Sequence, residues 1–187
     1  MTERTDERGI RATVRRAGIT YALVFLTGTL SLLVRPPLGM AFGIAAGVLY
    51  IGVTLLFYSI FRPAGRALSL LAALVSLAGC AIGPLGQFGV LPVRVHPLVF
   101  FGFYCLLIAY LILRSTFLPR FLAVLMAFAG LGWLTFLSPA LAKQLSPYNM
   151  IPGILGEGVL TVWLLVKGVD VPQWLEQESG GRVTSSA

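Results

Sequence analysis

The chain has 187 residues, of which 57% are hydrophobic and only 11% are charged. A water-soluble domain carries about 25% charged residues, so this composition excludes an ordinary soluble surface and makes lipid the solvent for most of the chain. The net charge of +7 does not point to nucleic acid, because the basic residues punctuate apolar runs and form no patch interleaved with aromatics.

Residues 1–16 read as a basic cytoplasmic tail. Within it IRATVRR (10–16) predicts an amphipathic lead-in, with Ile10 and Val14 on one face and Arg11 and Arg15 on the next. The first apolar run, 17–34, is expected to span and not to be cleaved, since more apolar runs follow and no small-residue cleavage site lies just after Val34. A helix needs about 20 apolar residues to cross a bilayer, and breaks at Arg and Pro leave six candidates: 17–34, 39–61, 67–91, 98–113, 121–137 and 152–166. The third carries Pro84, which predicts a kink or an early end near Gly83-Pro84. The fourth and sixth are short, which calls for a thin local bilayer, little tilt or extension into their flanks. The fold class is all-α, a six-helix transmembrane domain over 17–168. Residues 169–187 form a short cytoplasmic tail in which Trp174 suits the interface and ESGGRVTSSA reads as disordered.

Six spans put both termini on one side. That side collects Arg4, Arg8, Arg11, Arg15, Arg16, Arg62, Arg66, Arg114, Arg120, Lys167 and Arg182, and leaves only Arg35, Arg94 and Lys143 of the 14 Lys and Arg for the other. Cytoplasmic loops carry the excess of Lys and Arg. Both termini are therefore expected in the cytoplasm, with the protein in the cell membrane.

Helices in lipid associate through close backbone packing and polar contacts. Gly39, Gly43 and Gly47 recur every fourth residue and predict a close helix crossing in the second span, and Gly130, Gly132, Gly153, Gly156 and Gly158 predict tight packing or local irregularity in the last two. Phe100, Phe103, Leu107, Tyr110 and Arg114 share one helical face, either as packing or as a ligand wall. Cys80 and Cys105 sit inside apolar runs and read as buried thiols. His96 is the single histidine, which leaves no multi-histidine metal or haem site, and no glycine-rich phosphate loop is present. No cofactor is expected.

Glu157 is the only acid between the two tails. It lies roughly 7–8 Å into the sixth span, counting 1.5 Å per residue from Pro152. A carboxylate at mid-membrane costs about 2.5–3.5 kcal/mol even on the lenient insertion scale, so it must face the bundle and find a donor or keep its proton. Gly153 and Thr161 lie one turn to either side. Arg35, Arg94, His96, Lys143, Gln87 and Tyr148 enter from the same half as its expected donors. Two readings stay open: a structural clamp between helices, or a carboxylate that binds a ligand or a proton.

The stretch HPLVFFGFYCLLIAYLILRSTFLPRFLAVLMAFAGLGWL, followed by LGEGVLTVWLLVKGVDV, resembles a family of small bacterial multi-pass membrane proteins named domain of unknown function forty-three eighty-six. The resemblance covers 61–171 well and the first two helices weakly. Its most specific pieces are Leu113-Arg114-Ser115 to Leu118-Pro119-Arg120, Gly130 with Gly132, and Glu157 to Gly168. It implies a six- or seven-helix membrane protein without an assigned activity, in which Glu157, His96 and Arg114 match family polar positions. The third helix departs, with Val75-Ser76-Leu77-Ala78-Gly79 where the family often has an Arg and a Glu. The first functional expectation is a non-catalytic protein that packs against membrane lipids and other membrane subunits. The alternative is a binder or transporter of a small lipidic or weakly anionic ligand through a pocket around Glu157. An enzyme with Glu157 and His96 as an acid–base pair is the weakest of the three.

Overall fold

A computed structural model describes residues 2–87 and 96–184, with side chains over 6–85 and 96–180. Chain polarity and lipid together leave the backbone one choice over the apolar runs, because only an internally hydrogen-bonded helix or a closed barrel satisfies peptide groups away from water. The described residues form helices α1 (Thr2–Leu33), α2 (Leu38–Phe61), α3 (Arg66–Gln87), α4 (Leu98–Arg114), α5 (Arg120–Leu134), the short α6 (Pro139–Leu145), α7 (Ile151–Val166) and α8 (Val171–Thr184). Proline marks the starts: Pro37 and Pro119 precede α2 and α5, and Pro139 opens α6 behind Ser138, whose Oγ accepts from Leu141 N–H at 3.4 Å. Among the described residues five helices are long and apolar enough to cross a membrane, and α4, with 17 residues, is a shorter apolar helix. A turn of tighter helix at 135–137 and another at 148–150 lengthens α5 and α7. The protein is an all-α, multi-pass membrane bundle. α3 runs through Pro84 to Gln87, so the proline does not end it at once.

The spanning helices form a closed ring. Each packs against its neighbour in the order α1, α2, α3, α4, α5, α7, and α7 returns to α1. Short connections make successive helices antiparallel neighbours, which leaves the α1–α7 contact as the closure that sequence order does not dictate. Large rings fill the middle: Tyr21, Phe57, Phe61 and Tyr104 are wholly buried, and Tyr21 meets Phe57 and Tyr50 edge-on at 5.6 and 5.7 Å between centroids.

Most glycines that permit close approach lie in α4, α5 and α7, joined by Gly18 of α1 against Leu165 and Gly79 of α3 against Phe100. A Cβ on Gly130 would sit 2.8 Å from Gly102 O, one on Gly132 3.0 Å from Asn149 O, and one on Gly156 would collide with Leu125 O. The close crossing expected along α2 is corrected. Gly39 does press on the end of α1, where a Cβ would run into Val34 O, but Gly43 meets only Ser31 Cβ at 3.8 Å and Gly47 meets nothing.

The end that holds the termini is stapled by α8. Trp174 Nε1–H donates to Ile60 O at 2.8 Å, Gln177 Nε2 to Arg114 O at 3.0 Å, and Thr116 N–H to Gln177 Oε1 at 3.1 Å, while Arg62 pairs with Glu178. Ile10 and Val14 are buried there as well. Two tail expectations change accordingly. Residues 2–16 are not a separate tail but continue the α1 span as one helix, and residues 178–184, expected to be disordered, are helical. The apolar side of α8 has the loop ends to pack against, which its composition alone does not reveal. Residues 185–187 lie outside the described residues.

Gly168 turns the chain from α7 toward α8. Its φ is +73°, and its N–H donates to Trp163 O at 2.9 Å. This left-handed position costs about 1–2 kcal/mol for a residue with a Cβ. Gly168→Ala is expected to lower stability by about 1 kcal/mol, read as a shift in the unfolding midpoint in mixed detergent micelles.

Candidate functional site

Glu157 is 6% exposed and both its carboxylate oxygens are occupied. Oε2 accepts a hydrogen bond from the Tyr21 hydroxyl and another from the Tyr50 hydroxyl at 3.3 Å. Oε1 accepts from Trp133 Nε1–H at 2.6 Å and from the Cys105 thiol at 3.7 Å. The donors come from α1, α2, α5 and α4, so one α7 side chain links five of the six spans. All four donors are neutral.

Local sequence makes this geometry possible. Gly153, one turn before Glu157, lies against the indole of Trp133, which would clash with any Cβ there. The missing side chain lets the ring lie flat on α7 with its N–H aimed at the carboxylate. Thr161, one turn after, returns its hydroxyl to Glu157 O at 2.7 Å and exposes no unpaired polar group. Tyr50 is held by Phe101, with ring centroids 4.7 Å apart. α3 joins through a separate neutral contact, in which Ser76 and Thr54 hydroxyls lie 2.7 Å apart.

A cavity of about 720 Å³ borders the carboxylate. Glu157, Tyr21, Tyr50 and Trp133 form its inner end, and α1, α2, α3 and the start of α4 form its walls. Gly43, Gly47, Gly79 and Gly83 line it, so small residues make space here. Leu32 and Val48 also line it while being 77% and 63% exposed on the outside of the bundle. The cavity therefore opens sideways between helices, toward the lipid.

The basic partners expected for Glu157 are elsewhere. Arg35 and Lys143 are exposed and have no hydrogen bond to it, and Tyr148 is exposed as well. Arg94 lies outside the described residues, as does the Gln87 side chain. His96 stacks on Phe136 at 4.6 Å and accepts from Leu98 N–H at 3.3 Å, where partial burial pulls its pKa below the usual histidine value. It makes no hydrogen bond with Glu157, so the acid–base pair is not formed. The stripe on α4 divides: Leu107 packs against the core and Phe100 against Gly79, while Phe103 and Tyr110 are half-exposed and Arg114 lies over the Tyr110 ring at 6.0 Å. Helix α4 buries the other side, Tyr104, Cys105, Ile108, Leu111 and Ile112. Among the described residues no group of three or more His, Cys, Asp or Glu is placed to hold a metal ion.

The residues that do meet Glu157 carry a signal of their own. Tyr and Trp in membrane proteins collect at the two interfaces, yet Tyr50 stands near the middle of α2. A mid-span hydroxyl needs a partner, and Glu157 is the acceptor that can serve it.

The family model described as Domain of unknown function (DUF4386) matches residues 93–168. That stretch is similar to the DUF4386 domain. It contains Cys105, Trp133 and Glu157, whereas Tyr21 and Tyr50 precede it, and α3, within the resemblance read from the sequence, lies outside the matched segment. An uncharacterised protein from Archaeoglobus fulgidus is 26% identical over 135 residues, which is 65% of this chain and 78% of the relative. No solved structure matches.

Removing one donor leaves a buried carboxyl oxygen short of a hydrogen bond, a loss of about 1–3 kcal/mol. Tyr21→Phe and Trp133→Phe are each expected to cost about 2 kcal/mol of stability on that basis. Tyr104 is the contrast, a buried hydroxyl with no partner. Tyr104→Phe is expected to leave the unfolding midpoint unchanged or to raise it. Gly153→Ala is expected to act like the loss of Trp133, visible as a change in tryptophan emission together with lower stability.

Proposed function

We propose that this multi-pass membrane protein binds a small lipophilic ligand in the cavity beside Glu157, which the ligand reaches from the bilayer. One observation carries this reading: the cavity is about 720 Å³, apolar along its walls, and ends on the carboxylate and two tyrosine hydroxyls. Small-molecule sites typically measure about 300–1,000 Å³, with apolar walls and a few convergent polar groups. A purely structural clamp has no need of the space. A ligand that partitions into lipid reaches such a site without crossing water, so the protein needs no soluble domain to collect it. The clustering of Arg62, Arg66, Arg114, Arg120 and Lys167 at the termini end supports a cytoplasmic placement of that end in the cell membrane. The cavity then lies in the half away from the cytoplasm.

Gly47 offers a clean test, because its absent side chain faces open space in the cavity wall. Gly47→Leu fills that space without displacing a neighbour and adds a better helix former. The wild-type protein in lipid nanodiscs is expected to bind the uncharged dye Nile red above the level of empty discs, and Gly47→Leu to weaken that binding by about tenfold, the loss a blocked apolar pocket gives. Equal, background-level binding by both proteins would return the chain to the reading of a helix-packing accessory subunit.

A further inference from the structure

We infer that the ligand of this cavity is a lipophilic cation, an amphipathic ammonium whose charged end meets Glu157 and whose apolar body lies between α1, α2 and α3. The inference rests on the ligand-binding reading and adds the charge to it. Among the described residues that line the cavity, Glu157 is the only Asp, Glu, Lys, Arg or His. The donors that reach it are two hydroxyls, an indole and a thiol.

A carboxylate has about four lone-pair positions, and in its ionised form it only accepts. Here each oxygen receives two donors, so the site has the hydrogen-bond complement of an ionised carboxylate. Neutral dipoles hold such a charge in place, but they do not cancel it. An ion taken out of water costs several kcal/mol unless an opposite charge meets it. No described side chain supplies that opposite charge, and the space beside Glu157 is where a ligand can bring it.

The walls decide which kind of cation fits. Mg²⁺ and Ca²⁺ need about six oxygen ligands or retained waters, which one carboxylate in an apolar cavity does not provide. An alkylammonium asks for less: one counter-charge, aromatic faces and room for its chain. Tyr21, Tyr50, Phe101 and Trp133 all border the cavity, and a cation over such rings gains about 0.5–2 kcal/mol or more when desolvated. The same charge repels an anionic ligand. The weakly anionic class expected from the sequence placed His96 beside Glu157, and His96 stacks on Phe136 instead.

The test uses the full-length protein in nanodiscs loaded with Nile red, and three probes of one shape. Octyltrimethylammonium is the cation, 2,2-dimethyldecane its uncharged carbon isostere, and octyl sulfate an anion of similar length. Octyltrimethylammonium is expected to displace the dye at about a tenth of the concentration the hydrocarbon needs, the scale of one well-placed desolvated charge contact. Octyl sulfate is expected to be the weakest of the three. In Glu157→Gln the preference for the cation is expected to vanish while the hydrocarbon still competes. Should that variant fail to fold, the charge order in the wild type decides alone. Equal potency of cation and hydrocarbon in the wild type overturns the inference and leaves the pocket standing. Failure of the dye to bind, or of every probe to displace it, overturns the pocket and the inference together.

Discussion

A carboxylate placed between apolar helices cannot be left alone, and the arrangement of this bundle follows from how Glu157 is satisfied. Insertion of an acid at mid-membrane costs about 2.5–3.5 kcal/mol, while each hydrogen bond to an ionised group returns about 1.5–3 kcal/mol. Two good donors therefore offset the cost, and Tyr21 and Trp133 are the two close ones. Both must arrive from helices distant in sequence. α1 is brought to α7 across the closure of the ring, and α5 reaches α7 only because Gly153 and Gly156 remove the side chains that would hold the helices apart.

The two ends of the bundle divide the work. At the termini end α8 ties the loops at 61–65 and 115–119 through Trp174, Gln177 and Glu178. At the other end α1, α2 and α3 stand around a cavity, where Gly28 and Gly47 face open space instead of a neighbouring backbone. The DUF4386 segment supplies the tightly packed half, α4 through α7, together with Glu157, Trp133 and Cys105. The helices before it supply Tyr21, Tyr50 and most of the cavity wall. The acid and the space beside it thus come from different parts of the chain.

Much of the architecture is legible in sequence because lipid imposes it. Arg and Pro interrupt apolar runs of spanning length, and all six runs correspond to helices whose bounds differ by a few residues, except that α1 begins at Thr2 and not at 17. Glu157 stands out for the same reason, as an acid where acids are costly. Its partners do not stand out, because a search for charges finds Arg35, His96 and Lys143 and passes over a tyrosine, an indole and a thiol. A neutral donor leaves no mark in charge patterning, and its distance from the acid depends on the ring order, which no local pattern encodes. The glycine repeat at Gly39, Gly43 and Gly47 shows the converse. The spacing reports a smooth helix face, and only the tertiary arrangement decides whether that face meets a backbone or lines a cavity. α8 is not legible in sequence, because a polar, glycine-containing stretch acquires its helix from the loop ends it packs against.

The central claim is that Glu157 is held by neutral donors across the ring and not by an ion pair. Double-mutant cycles measure this directly, with Glu157→Gln combined in turn with Trp133→Phe, Arg35→Gln and Lys143→Gln in reversible unfolding from mixed micelles. The account predicts a coupling of about 1–3 kcal/mol between Glu157 and Trp133, the range for residues in one hydrogen-bond network, and none between Glu157 and either basic residue. A strong coupling to Arg35 or Lys143, with none to Trp133, would contradict it.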